Sequence, residues 1–304
     1  MKRLFLLFFI IFPSLSLPAD ITSLMFRTYT VSGKDFNQVV DELKQRLNEK
    51  EDTKVLRLLT ISEAIKARGV KDFPNYTVIL ACDPRGKEDL LVRIPFMSNL
   101  VPCSIAVYEN PNGSVSMTTI NEMPYLMEFS KDLSAQDRRF IKRTYSDLRQ
   151  VLSSLGKSKA VRTNRKRMSE LMTKLRGVSF ETSDTIKSVS FEDTKTLLKA
   201  SLDGVNMNIL GVEDIKRDSP KYSFMLACNL TYGEKILREF PHFGTLAPCR
   251  IYIYEKPDGS VGVGYINIQT LIKLYRTHLH KDAVEVFEKA DKDIKSAIKE
   301  VKGE

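Results

Sequence analysis

The sequence predicts an α+β fold made twice over. Two observations carry this: a stretch beginning at Tyr76 recurs from Tyr222, and each copy holds a glycine-bearing hairpin set between helical stripes. Residues 76–121 align without a gap on 222–267, with about 19 of 46 positions identical, which is far beyond coincidence. The first copy reads Leu80-Ala81-Cys82-Asp83 and Val101-Pro102-Cys103-Ser104, the second Leu226-Ala227-Cys228-Asn229 and Ala247-Pro248-Cys249-Arg250.

The chain opens with Met1-Lys2-Arg3, then an apolar run over 4–12, then small residues to Ala19. That order of charged, apolar and small segments is a secretory signal, with the cut expected after Ala19. The apolar run is short of the roughly 20 residues needed to cross a bilayer, and Pro13 interrupts it. Residues 1–19 are therefore expected as a signal peptide, 20–155 as the first repeat domain, 156–176 as a basic linker and 177–304 as the second repeat domain. The expected location is periplasmic or secreted.

Each repeat should run as strand, helix, strands, hairpin and closing helix. Ser32-Gly33-Lys34-Asp35 and Ser190-Phe191-Glu192-Asp193 have the spacing of capping boxes, each opening a helix. The first helix offers Phe36, Val39, Val40, Leu43 and Leu47 to a core, and the second Leu197, Leu198 and Leu202. Asn112-Gly113 and Asp258-Gly259 supply the positive φ of tight hairpin turns. A last amphipathic stretch over 134–155 matches the final helix near the C-terminus. The first copy carries about 12 extra residues around 61–73, expected on the surface.

The formal charge of +9 falls to about +7 once Lys2 and Arg3 leave with the signal. Outside the cytoplasm that excess suits anionic membrane or cell-wall surfaces, and nucleic acid is not an expected partner. The basic stretch 156–176 reads either as a solvated linker or as a docking patch for an anionic surface.

All four cysteines, Cys82, Cys103, Cys228 and Cys249, fall at equivalent places, two per copy. In each copy one ends an apolar strand and the other opens the next, so neighbouring antiparallel strands would bring the pair together. Three readings stand side by side: an intradomain disulfide, a redox or ligand-binding thiol pair, and two buried inert thiols. Asp83, Pro102, Asn229 and Pro248, which adjoin the cysteines, are the supporting candidates. His242 lies seven residues before Cys249 and is a candidate third metal ligand, although its counterpart is Phe96.

Catalytic signatures are missing from the sequence. It holds no Gly-rich phosphate loop, no Gly-x-Ser-x-Gly elbow and no His-Glu-x-x-His helix. All three histidines belong to the second copy, which excludes a duplicated histidine-dependent active site. No catalytic residue and no cofactor is expected.

The pattern Ala81-Cys82-Asp83-Pro84 followed by Val101-Pro102-Cys103, then a strand ending in Tyr108-Glu109 and a glycine turn, resembles the domain-of-unknown-function 302 family. The second copy departs from it at Cys228-Asn229-Leu230, where the proline is absent. The resemblance implies a curved antiparallel sheet with packed helices in each repeat (β-α-β(4)-α-like), and a tandem chain that forms an intrachain pseudo-dimer. It implies no reaction. The expected function is an exported binding protein for a small ligand or a protein partner with a cysteine pair in each domain. The alternative is a thiol-active carrier of sulfur, metal or redox equivalents.

Overall fold

The computed structural model describes residues 21–82, 87–158, 166, 169–170, 173, 179–215, 218–246 and 249–304. The expected signal peptide, Asp83, Pro248 and most of the basic linker lie outside these residues. Each half is an antiparallel sheet with helices packed on it. The first half contains α1 (Ile21–Met25), β1 (Phe26–Val31), α2 (Phe36–Asn48), β2 (Val55–Leu59), α3 (Ile61–Ala67), β3 (Tyr76–Ala81), α4 (Glu88–Arg93), β4 (Cys103–Glu109), β5 (Val115–Ile120), α5 (Met123–Glu128) and α6 (Ala135–Leu155), followed by the short strand β6 (Lys157–Ser158). The second contains β7 (Glu181–Ile186), α7 (Phe191–Gly204), β8 (Asn208–Ile215), β9 (Tyr222–Cys228), α8 (Leu230–Glu239), β10 (Cys249–Glu255), β11 (Val261–Ile266), α9 (Ile268–Tyr275) and α10 (Lys281–Lys302).

The strand orders are β2-β3-β4-β5-β1-β6 and β7-β11-β10-β9-β8. Tyr76 pairs with Tyr108 and Tyr222 with Tyr254, so the duplicated strands keep the same register in both sheets. Both sheets also shift register at the same place, between Val55 and Arg57 in β2 and between Ile209 and Gly211 in β8. Gly113 and Gly259, at φ 75° and 79°, close the two hairpins in the left-handed backbone region that glycine enters without penalty.

Three local expectations need correction. The first helix is capped by Asp35 rather than Ser32: Asp35 accepts from the backbone of Gln38, whose side chain accepts from Asp35 N in return. Gly33 at φ 77° bends the chain before the cap, so Ser32 belongs to the turn. Leu197 is 45% exposed, because the buried stripe of α7 passes through Phe191, Thr194, Leu198 and Leu202. The extra segment of the first copy forms α3, which buries Ile61 and Ile65 and packs on α8 of the second half. Ser190, by contrast, caps α7 through the backbone N–H of Asp193, where the sequence placed it, and Ser134 caps α6 in the same way through Asp137.

The halves meet through a reciprocal exchange. The 3-10 segment Pro241–Thr245 of the second half lies on β4 and β5, and the matching segment Pro95–Asn99 lies on β10 and β11. Tyr222 donates from its hydroxyl to Pro95 O at 2.9 Å, and Tyr76 donates to Pro241 O. Such i-to-j and j-to-i contacts are those of a two-fold interface, here within one chain. Two further contacts join equivalent positions directly. Arg250 donates to the hydroxyl of its counterpart Ser104 at 2.7 Å, and Arg57 donates to Leu210 O at 2.7 Å beside its counterpart Gly211. A residue that touches its own equivalent lies on the pseudo-two-fold axis. Among the described residues no helix is long and apolar enough to cross a membrane.

Candidate functional site

In the second half, β9 and β10 run antiparallel, and Cys249 stands opposite Ala227. Cys228 follows Ala227 at the strand end, and Asn229 begins the turn into α8. The Asn229 side chain accepts from the backbone N–H of Thr231 at 3.0 Å and of Tyr232 at 3.2 Å, satisfying two of the orphan donors at the helix start. Asn229 thus fixes the helix that roofs the space beside the two cysteines.

That space is a cavity of about 90 Å³. Cys228 and Cys249 line it together with Ile236 and Gly233 of α8, Phe243 of the 3-10 segment and Phe287 of α10. Its walls are almost wholly apolar. Phe243 is itself held from the other half, its ring 5.8 Å from that of Phe26, so the first half helps to form the wall. Burial pushes the Cys228 thiol up to about 12, with the neighbouring Cys249 adding to the shift, and burial pushes Cys249 up to about 11. Both are neutral thiols near pH 7, since the thiolate fraction falls tenfold with each unit below the pKa.

The first half treats the same position differently. Tyr125 stands where the second half has Leu271, and Thr144 where it has Ala290, so a larger ring and a hydroxyl replace two apolar cavity-lining side chains. The Tyr125 ring packs on Phe96 at 6.0 Å and on Phe180 at 4.8 Å. Cys82 has φ 71° and lies just past the last paired residue of β3, while Cys103 pairs with Ala81. Burial raises the Cys82 thiol well above its ordinary range, and the neighbouring Cys103 side chain raises it further. Pro102 follows a cis peptide bond.

Of the three readings of the cysteine pairs, the disulfide is not the one seen in this structure, where all four cysteines are free thiols. In each ladder the second cysteine faces an alanine, Ala81 or Ala227, and the first cysteine is one residue beyond it. His242 is absent from the lining of the cavity that holds Cys249. Its ring lies among aromatic rings, 4.7 Å from Phe26 and 5.5 Å from Phe240. Among the described residues no three His, Cys, Asp or Glu side chains converge as a metal site. Sequence reading missed Gly233, Ile236 and Phe243 as lining residues; the apolar spacing of Ile236 and Leu237 in α8 was the available signal.

Comparison with known proteins gives three findings. The family model described as "Domain of unknown function DUF302" matches twice, over residues 27–155 and 183–300. A protein of Aquifex aeolicus (strain VF5), described as uncharacterized, is 60% identical over 120 residues, which is 40% of this chain and 83% of that protein. The crystal structure of a conserved DUF302 protein from Bacillus stearothermophilus aligns over 40% of this chain and 98% of its own, at 16% identity and a TM-score of 0.36.

Proposed function

We propose, from the premise that this chain belongs in both halves to the DUF302 family, that it is an exported, non-enzymatic binding protein whose second half holds a small apolar ligand. The single observation that carries the reading is the cavity with Cys228 and Cys249 in its wall. Apolar enclosure favours a neutral hydrocarbon-like ligand, and two neutral thiols add only weak polar contacts. Export is supported by the order of segments over residues 1–19.

The protonated state of these thiols favours ligand binding over a thiol-active carrier of sulfur, metal or redox equivalents, because the thiolate is the nucleophile and the metal ligand. The first half supports the pair by supplying Phe26 against Phe243.

Benzene, which enters dry apolar cavities, is a suitable first probe. Added to the full chain, it should raise the melting temperature saturably, and Ala290→Phe, which fills the space, should abolish the rise. An absence of any saturable rise in the unaltered protein would reject the cavity as the binding site. The export reading is checked separately by the mass of protein recovered from the periplasm, which should begin at Asp20.

A further inference from the structure

We propose that the first half carries a metal site of its own, in which Cys82 and Cys103 hold one Cu(I) ion as a two-coordinate bis-thiolate whose negative charge is balanced by the buried guanidinium of Arg250. Cys103 opens β4 opposite Ala81, and Cys82 follows Ala81 at the end of β3, so the two thiols stand at one end of one strand pair. Both residues are buried. Cys82 leaves the strand at φ 71°, a left-handed conformation that is unfavourable for a residue with a side chain and persists only where its surroundings enforce it. The turn takes Cys82 out of the alternation of β3, and its side chain interacts with that of Cys103.

A buried cation without an anion stands next to this pair. Arg250 is 3% exposed, and its guanidinium donates to Ser98 O and to the hydroxyl of Ser104, the neighbour of Cys103; both acceptors are neutral. The groups whose charge acts on it most strongly are Tyr145, Cys103, Tyr222 and Cys82, and no carboxylate is among them. An unpaired buried charge is unfavourable, and an anion formed beside it offsets that cost. Cu(I) is soft and selects thiolate ligands. Two thiols and Cu(I) give a bis-thiolate of one negative charge and release two protons to solvent, and Arg250 brings the whole to neutrality. Zn(II) on the same pair would lack half of its usual four ligands and leave the charge of Arg250 uncancelled.

The second cysteine pair has neither feature. Cys228 stays within β9, paired with Asn208. Although Arg250 follows Cys249 in sequence, its guanidinium reaches across the boundary between halves to Ser98 and Ser104, and the first pair, not the second, is among the groups that act on it most. The counterpart that the first half offers in return is Ser104, which is neutral. Asp291 stands where the first half has Tyr145, and its carboxylate would repel an anionic complex. The second pair therefore remains the neutral wall of the apolar cavity, and the metal site does not depend on that cavity being filled.

The test is an anaerobic titration of the full chain with Cu(I) against a chromogenic Cu(I) chelator, with Zn(II) as the control. The chain should withhold one Cu(I) from the chelator, bind Zn(II) far more weakly, and show two sulfur neighbours in X-ray absorption at the copper edge. Cys103→Ser should abolish the binding, and a chain carrying both Cys228→Ala and Cys249→Ala should keep it, which localises the site even if the first variant fails to fold. Arg250→Met should weaken Cu(I) binding about tenfold or more, and Arg250→Lys, which keeps the charge, should restore most of it. Urea unfolding of the metal-free variants separates this loss of affinity from loss of the fold. No Cu(I) withheld by the unaltered chain, binding lost with the second cysteine pair, or an affinity indifferent to Arg250→Met overturns the site.

Discussion

The hydroxyl of Tyr222 reaches Pro95 across the boundary between halves at 2.9 Å, and its counterpart Tyr76 makes the same reach to Pro241. Pro95 and Pro241 each open a 3-10 segment that lies between the two cysteines of its own half yet packs on the sheet of the other. The wall of each cysteine pair is therefore fixed by the opposite half.

Tyr76 leaves no room at Gly244, where an added Cβ would fall 1.8 Å from the tyrosine hydroxyl. Gly244→Ala should destabilise the chain by about 1–3 kcal/mol, as over-packing does in a filled interior. Tyr76→Phe in the same chain should recover part of the loss, since removing the hydroxyl relieves the closest approach. Urea unfolding of the single and double variants checks both statements.

Gly233 presents the opposite case. It lies inside α8 on the cavity wall, and an added Cβ meets nothing within 4 Å. Gly233→Ala should stabilise the protein by about 0.5–1 kcal/mol, because alanine gives up less backbone entropy in a helix. A melting temperature that falls instead would mean that the glycine is needed for a contact not seen here.

Arg250 is 3% exposed and has no carboxylate partner among the described residues. Ser104→Arg would set a second buried guanidinium against it and should cost about 3 kcal/mol or more, since unpaired buried charge is strongly unfavourable. Arg250→Met should be far milder, because a buried charge can be replaced by an apolar side chain of similar length at little cost. The comparison is made by equilibrium unfolding of both variants in urea.

Stability should decline with alkali. The folded-state pKa values of Cys228 and Cys249 are raised to about 12 and 11, so their contribution is complete below the ordinary thiol pKa and is lost as pH rises through the folded values. The unfolded chain releases these protons first, near pH 9, so the decline should set in there. Cys249→Ser should show a shallower loss of unfolding free energy between pH 8 and pH 11 than the unaltered chain. Equal slopes would show that Cys249 ionises as readily in the folded state as in the unfolded one.

The duplication, the hairpins and the helix cap at Ser190 were legible because they rest on local chemistry repeated at fixed spacing. Asp35 was missed as a cap because the turn at Gly33 shifts the helix start by three residues, a matter of backbone direction rather than composition. Leu197 was misplaced because one turn of apolar residues does not fix which side of a helix faces the sheet. The register that sets Cys103 and Cys249 opposite alanines, and the aromatic surroundings of His242, depend on strand pairing and on the other half, and no spacing within one copy encodes them.

The two axial contacts have a bearing on the gene. At one, arginine of the second repeat meets serine of the first; at the other, arginine of the first meets glycine of the second. Had recombination made the repeats alike, each axis position would confront arginine with arginine or leave a hole between two small residues. Divergence at these codons is therefore self-preserving: once the copies took opposite sizes and charges at the axis, any event that restored their likeness would be selected against through misfolding.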